Sequence, residues 1–229
     1  MKIKYVFLIP IFILFLGETL HGQDWANLTR YRTENSALGA LKPHDTRVVF
    51  MGNSITDLWI KAYPDFFAEH GYLDRGISGQ TTPQMLLRFR ADVIDLHPKV
   101  VVILAGTNDI AGNTGPSTLG MIEDNIASMC ELAKIHHIKV VLSSLLPVYD
   151  YPWHKGLHPD KKIIALNQWI KQYATSNKFV YLDYFSALVD HKDGFKSQYT
   201  IDGVHPNKAG YKIMMPLAEK AILKALSQR

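Results

Sequence analysis

A serine on a sharp turn is the first residue of this chain that could do chemistry. Ser54 follows the apolar run from Val48 to Met51 and Gly52, and it precedes a helical pattern. An apolar run without alternation is typical of a strand buried on both faces of a parallel sheet. At the carboxyl end of such a strand, where open α/β sheets bind ligands, Ser54 could act as a nucleophile. Alternatively, Ser54 only caps the helix, which is a common task of a serine in this position.

An aspartate and a histidine near the end of the chain could activate this serine. Asp202 and His205 lie three residues apart in one loop, close enough for the carboxylate to hold one imidazole nitrogen while the other faces Ser54. The alternative is an ordinary turn before a helix, because Asp and Gly are common turn residues.

Two further loops carry hydrogen-bond donors. Asn108 has a side-chain amide at the end of the strongest apolar run, and Gly79 offers a backbone N–H that no Cβ shields. Acyl transfer requires a nucleophile, a base, a group that orients the base and donors directed at the oxyanion. The chain has a candidate for each of these roles.

Strands and helices alternate along the chain in a way that would bring these loops together. The alternation predicts right-handed crossovers and an α/β fold, a three-layer α/β/α sandwich around a central, mostly parallel five-stranded sheet. The carboxyl ends of parallel strands share one edge, so the candidate residues should meet there. The five strand patterns cover residues 47–51, 73–77, 99–105, 139–144 and 179–183.

Two helix predictions bear on the site. Pro64 is expected to kink or subdivide a helix over residues 57–70. A second helix is expected to begin at Thr81 or Thr82, where Thr81 and Gln84 have capping-box spacing. Three- and four-residue spacing predicts an apolar stripe on this helix and a side that faces water. The apolar stripe consists of Leu86, Phe89, Val93 and Leu96. The residues expected to face water are Arg88, Arg90, Asp92 and Asp95.

Four ordered motifs resemble the sequence blocks of the SGNH hydrolases, also called GDSL-like hydrolases. They are GNSIT at 52–56, GISGQTT at 76–82, GTND at 106–109 and DGVHPN at 202–207. The resemblance spans nearly the whole chain after residue 22. It implies the flavodoxin-like fold of that family and a serine esterase that forms an acyl-enzyme, with no metal or cofactor.

The resemblance also implies roles for single residues. Ser54 corresponds to the nucleophile and His205 to the base, which Asp202 orients. The oxyanion hole corresponds to the N–H groups of Ser54 and Gly79 and the side chain of Asn108. One departure is Asn53, because many members of the family have an aspartate beside the nucleophile.

Aromatic residues could shape the substrate pocket. Their rings could stack on sugar faces, or they could simply pack the loops against the domain. We favour removal of a small acyl group, an O-acetyl group, from carbohydrate, so that a small-molecule or glycan ester is the partner. Hydrolysis of lysophospholipids or acyl thioesters is the alternative, and a non-catalytic glycan-binding module is an alternative of another class. The pocket candidates are Trp59, Tyr149, Tyr151, Trp153 and His154.

Length and composition predict one exported domain. The chain has 229 residues, 47% of them hydrophobic and 20% charged, which suits a single α/β domain at residues 23–229. Residues 1–22 have the basic, apolar and small-residue regions of a signal peptide, and the apolar run is short for a membrane span, although a retained anchor is the alternative. We therefore expect a periplasmic or extracellular location and no membrane span after signal removal.

The charge and the single cysteine exclude further classes. Residues 1–22 carry two lysines and one glutamate, so their removal lowers the formal charge from +4 to +3, which is too small to indicate a nucleic-acid partner. Cys130 can form no internal disulfide, and we expect it to be a core residue. No oligomeric state is predicted.

Overall fold

Five parallel strands form the centre of the computed structural model, which describes residues 24–39 and 46–228. Their order is β2-β1-β3-β4-β5, and every neighbouring pair is parallel. The predicted α/β class and five-stranded sheet are confirmed. The strands are β1 Val48–Gly52, β2 Tyr72–Gly76, β3 Val100–Ile103, β4 Lys139–Ser143 and β5 Val180–Leu182.

The order of the strands creates a crevice beside β1. From β1 the chain crosses to β2 on one side, and it then returns to β3 on the other side. Loops leaving two such strands diverge, and open α/β sheets bind ligands at this switch point. Ser54 follows β1 and Asn108 follows β3, so both lie at the switch point.

Helices cover both faces of the sheet, as the sandwich architecture requires. Helices α4, α6 and α7 pack on one face, and α2, α3 and α9 pack on the other. The helices are α1 Arg32–Ala37, α2 Ser54–Ala62, α3 Pro64–His70, α4 Thr82–Asp92, α5 Thr107–Ile110, α6 Leu119–Ile135, α7 Asp160–Ser176, α8 Phe185–Leu188 and α9 Lys208–Ser227.

Alternate side chains of each central strand enter opposite cores. Val49 and Met51 of β1 pack toward α4, α6 and α7, whereas Val48 and Phe50 pack toward α2, α3 and α9. All four are buried, and full burial of such a side chain stabilises the fold by roughly 1.5–3 kcal/mol. The sheet is therefore anchored on both faces directly below the turn that carries Ser54.

Pro64 divides the first long helical pattern, as predicted. Helix α2 ends at Ala62 and α3 begins at Pro64 itself, where the missing N–H removes no intrahelical hydrogen bond. The predicted start of α4 is also confirmed, because Thr81 and Gln84 form a capping box.

The prediction that Arg88 and Asp92 of α4 face water is wrong. Both side chains are buried, and residues 24–39 cover this side of the helix. Asn35 of α1 donates from Nδ2 to Asp92 Oδ1 at 2.8 Å. Three- and four-residue spacing predicts a helix with one face on the core and the opposite face in water. Helix α4 instead lies between the core and the polar side chains of residues 24–39.

The predicted signal peptide, residues 1–22, lies outside the described residues. Within residues 24–39 and 46–228, no helix is long and apolar enough to cross a membrane. Cys130 is buried in the core.

Candidate active site

Ser54 is the first residue of α2, two residues after β1 ends at Gly52. The preceding residue, Asn53, caps the helix, since its Oδ1 accepts a hydrogen bond from Ile55 N at 3.2 Å. A Cβ on Gly52 would lie 2.0 Å from Thr56 Oγ1, so only glycine allows the helix to approach the strand so closely. The N–H of Ser54 belongs to the first helical turn, which offers it no intrahelical acceptor.

Three polar side chains form a continuous hydrogen-bonded chain at this turn. The Oγ of Ser54 lies 2.9 Å from Nε2 of His205, and Nδ1 of His205 lies 2.8 Å from Oδ2 of Asp202. A carboxylate only accepts hydrogen bonds, so Nδ1 carries the proton and Nε2 is free to accept one from Ser54. The structure thus brings together three residues that the sequence singled out.

The loop that carries His205 is held by hydrogen bonds between polar side chains and nearby backbone atoms. Thr200 Oγ1 donates to the carbonyl oxygen of His205 at 2.8 Å and accepts from Gly203 N at 2.9 Å. Asn207 then caps α9 by accepting from Gly210 N at 3.0 Å. These bonds hold the loop backbone on both sides of His205.

Asp202 is held in its charged form. Partial burial would raise the pKa of its carboxyl, but hydrogen bonds from the backbone and ring of His205 and from Val204 N lower that pKa below the ordinary value. The backbone bonds are 2.8 Å from His205 and 3.0 Å from Val204. An ionised Asp202 can stabilise a positive charge on the imidazole.

Two candidate oxyanion donors lie on the loops after β2 and β3. Gly79 is exposed in a turn with φ of +81°, a conformation that favours glycine. Asn108 is buried in α5, and its Nδ2 donates to the carbonyl oxygen of Gln80 at 2.9 Å. A side-chain amide has two N–H groups, so this bond orients the amide and leaves one N–H for another acceptor.

Asp109 fastens the Asn108 loop to the start of α4. Its carboxylate accepts from Thr82 N at 3.0 Å and from Thr82 Oγ1 at 2.5 Å. Burial raises the pKa of Asp109, and the hydrogen bonds from Thr82 partly offset that rise. Asp109 therefore connects the third motif to the second.

Two of the predicted pocket aromatics belong to the core, which corrects the prediction for Trp59 and Tyr151. Trp59 is 2% exposed and stacks between Phe66 and Tyr211. Tyr151 is fully buried, and its hydroxyl donates to Thr107 O at 2.8 Å. Neither ring can reach a substrate, because both are enclosed by their own packing partners.

The other three aromatic candidates lie at the surface. Trp153 is 47% exposed, and its ring centre lies 6.0 Å from that of His205. Tyr149 is 51% exposed and borders a cavity of about 380 Å³ that also includes Gly203 of the histidine loop. His154 is exposed but its Nδ1 is paired with Ala111 O at 2.9 Å.

Asn53 lies beside Ser54, at the position where the resemblance to the SGNH hydrolases predicts an aspartate. The asparagine is buried and still caps α2 through Oδ1. Its Nδ2 has no hydrogen-bond partner among the described residues. The helix cap is thus preserved without a negative charge next to Ser54.

Two polar residues below the site, Gln80 and Arg88, were not identified from the sequence. The backbone carbonyl oxygen of Gln80 accepts a hydrogen bond from Asn108 Nδ2. The side-chain Oε1 of Gln80 accepts another from Arg88 Nε at 2.5 Å. Arg88 and Asp92 have the i, i+4 spacing that usually marks a solvated helix face, so their spacing gave no signal of burial. In the part of the chain that the structure describes, no three or more His, Cys, Asp or Glu side chains come together as a metal site.

Comparisons with known proteins identify the family and agree with this fold. The GDSL-like Lipase/Acylhydrolase family matches residues 50–213, more than half of the chain, so the chain belongs to this family. All four motifs of this chain lie within the matched range, and the resemblance seen in the sequence is confirmed.

A solved structure and an esterase illustrate the relationship. A GDSL-like lipase from Bacteroides thetaiotaomicron is 50% identical, with a TM-score of 0.85 over 88% of this chain and 99% of that chain. Esterase TesA of Pseudomonas aeruginosa is 26% identical over 160 residues, which are 68% of this chain and 73% of the esterase.

Two further matches are more distant or shorter. An acetyl xylan esterase, 20% identical, shares the fold with a TM-score of 0.65 over 76% of this chain and 98% of its own. A lipoprotein of Bacillus subtilis is 38% identical over 89 residues, which are 36% of this chain and 37% of the lipoprotein. The chain thus matches little more than a third of that relative's length.

Proposed function

We propose that this protein is a serine ester hydrolase that works through an acyl-enzyme. The observation that carries the proposal is the hydrogen-bonded chain from Ser54 Oγ to His205 Nε2, 2.9 Å, and from His205 Nδ1 to Asp202, 2.8 Å. A helix cap has no need of a histidine aligned on its hydroxyl. A glycan-binding module would likewise have no use for a nucleophile and a base together.

The reaction has two steps. Ser54 Oγ attacks the ester carbonyl carbon while His205 Nε2 accepts its proton, and the imidazolium then gives this proton to the leaving alkoxide. In the second step His205 takes a proton from water as the water oxygen attacks the acyl carbonyl carbon. The bond from that carbon to Ser54 Oγ then breaks, Oγ takes the proton back from His205, and the acid leaves. Asp202 stabilises the imidazolium in both steps.

The oxyanion of each step is expected to lie between Gly79 N, Ser54 N and Asn108 Nδ2. These donors come from the loops after β2, β1 and β3, which end at the same edge of the sheet. Removal of one such donor typically costs about 3–4 kcal/mol of transition-state stabilisation.

For the substrate we favour a small acyl group, such as acetyl, on a carbohydrate. The exposed ring of Trp153 beside His205 could stack on a sugar face. Tyr149 and Lys192 border the cavity behind the histidine loop, where they could contact further sugar hydroxyls. The acetyl xylan esterase with the same fold supports this choice only as an analogy of architecture.

Turnover of an ester series tests the activity and the acyl length together. We would measure p-nitrophenyl esters from acetyl to palmitoyl with the wild type, Ser54→Ala and Ser128→Ala, a control serine on the exposed side of α6. We expect Ser54-dependent turnover, highest for acetyl, and no effect of Ser128→Ala. Absence of Ser54-dependent turnover on every ester contradicts the proposal, and a preference for palmitoyl favours lysophospholipid or thioester hydrolysis.

Trp153→Ala tests the carbohydrate part of the proposal. The variant should raise KM for acetylated xylooligosaccharides and leave kinetics on p-nitrophenyl acetate nearly unchanged, because only the sugar would contact the indole. Equal effects on both substrates would show that the ring does not bind sugar.

Export of residues 23–229 as the mature enzyme is also part of the proposal. The signal-like pattern of residues 1–22 supports it, as does the relationship to a lipoprotein of Bacillus subtilis. The mass of the exported protein should correspond to cleavage near Gly22, and retention of the first 22 residues would favour an anchor.

A further inference from the structure

Arg88 is a fully buried arginine directly below the candidate site. Its side chain is 0% exposed, and Asp92, its ion-pair partner at 3.0 Å, is also buried. A buried charge is costly unless it is paired and its hydrogen bonds are satisfied. The contacts of this guanidinium therefore indicate what its burial provides.

The guanidinium joins the carboxyl ends of two strands. Its Nη2 donates to Gly52 O at 2.9 Å, and its Nη1 donates to Arg75 O at 2.9 Å. Gly52 ends β1 two residues before Ser54, and Arg75 lies near the end of β2. One side chain thus holds the strand that leads to Ser54 and the strand that leads to Gly79.

The third nitrogen of the guanidinium, Nε, contacts the Gln80 side chain. Arg88 Nε donates to Gln80 Oε1 at 2.5 Å, and Gln80 Nε2 donates to Ala26 O at 2.7 Å. The backbone carbonyl of the same Gln80 accepts the Asn108 amide. Gln80 therefore transmits the position of Arg88 to both candidate oxyanion loops.

We propose that Arg88 is a positioning residue that fixes the oxyanion loops relative to Ser54, acting through Gly52 and Gln80. The inference rests on the proposed esterase function and adds a residue that touches no substrate. The planar guanidinium supplies donors in several fixed directions, which a lysine ammonium cannot reproduce. Charge alone is therefore insufficient at this position.

Arg88→Lys tests this inference against Arg90→Lys. Both substitutions keep a positive charge on α4, but the side chain of Arg90 is 61% exposed. In Arg88→Lys we expect kcat for p-nitrophenyl acetate to fall by about 10- to 100-fold with KM nearly unchanged, as misplacement of catalytic groups by about 1 Å can do. Arg90→Lys should behave as the wild type.

Gln80→Met separates positioning from loss of folding. It removes the acceptor of Arg88 Nε but keeps the backbone carbonyl that accepts Asn108. We expect it to lower kcat at least about tenfold in the wild type but only slightly in an Asn108→Ala background, because coupled residues are not additive. A general loss of folded protein would lower activity by the same factor in both backgrounds, which would overturn the inference.

Amide hydrogen exchange at residues 78–82 gives a measurement that needs no turnover. Exchange there should be faster in Arg88→Lys than in Arg90→Lys, since the loop loses a fixed partner. Equal exchange rates at residues 78–82 in the two variants would overturn the inference. If turnover depends on Ser54, a wild-type kcat in Arg88→Lys would overturn it as well. Absence of Ser54-dependent turnover in the wild type contradicts the proposed function instead, and exchange alone then decides the role of Arg88.

Discussion

The Oγ of Ser54 and the Nε2 of His205 lie 2.9 Å apart although 151 residues separate them in the chain. Ser54 is placed by the end of β1, and His205 by the loop that precedes α9. Tyr211 of α9 strengthens this link, because its buried hydroxyl donates to Ile55 O at 2.8 Å. The helix after the histidine is thus fastened to the helix that begins at the serine.

Asp202→Asn should separate the orientation of His205 from its presence. The asparagine fills the same space, but its amide can hold the imidazole in the wrong tautomer and cannot stabilise the imidazolium. We expect kcat to fall by about 10⁴-fold, the loss that this change causes in a Ser-His-Asp protease. Asp183→Asn, which changes a carboxylate that accepts hydrogen bonds from Ser186 and not from His205, is the matched control in the same ester assay.

Retention of more than about a tenth of wild-type kcat in Asp202→Asn would show that Asp202 does not act on His205.

Asn108→Ala should impair the transition state more than substrate binding. The alanine removes the amide that Gln80 orients, so kcat should fall by about 10²- to 10³-fold while KM stays nearly unchanged. Asn177→Ala, which removes an amide at the far end of α7, should leave both constants as in the wild type. A normal kcat in Asn108→Ala would remove this residue from the oxyanion hole.

Asp74→Asn should change how stability depends on pH. Burial raises the pKa of the Asp74 carboxyl from 3.8 to about 7, the charge of Asp57 adds to the rise, and bonds from Gly76 and Tyr31 and the charge of Arg75 oppose it. Because the folded state holds this proton more tightly than the unfolded state, wild-type stability should fall as pH rises from about 4 to about 7.

The comparison with Asp74→Asn isolates this effect. The free energy of unfolding of the variant, relative to the wild type, should increase over that range by up to a few kcal/mol, at about 1.4 kcal/mol per unit of pKa shift. Urea unfolding at several pH values measures it. A difference between the two proteins that is constant with pH would contradict the raised pKa.

The sequence predicted the five strands and the start of α4 correctly because each depends on a local pattern, whereas the first long helix begins at Ser54 and not at residue 57. Continuous apolar runs define strands buried on both faces, and short motifs mark the loops at their ends. The predictions failed where a residue's neighbours come from distant segments. Asn35 contacts Asp92, and Gln80 with the ends of β1 and β2 surrounds Arg88, so both side chains are buried despite a spacing typical of solvent.

The aromatic pocket shows the same limit. Trp59 and Trp153 are equally plausible sugar-stacking residues by type, but their neighbours differ. Phe66 of α3 and Tyr211 of α9 enclose Trp59, whereas Trp153 lies on an open loop beside His205. The local sequence around each tryptophan does not show which distant side chains pack against its ring.

Covalent labelling tests the central claim, that Ser54 is the nucleophile, most directly. The wild type would be treated with an alkyl fluorophosphonate, digested and mapped by mass spectrometry, with His205→Ala treated in parallel. We expect one phosphonate on Ser54 in the wild type, with loss of esterase activity in proportion to labelling, and much slower labelling without His205. A phosphonate on another residue, or an active enzyme that Ser54 labelling does not inhibit, would contradict the account.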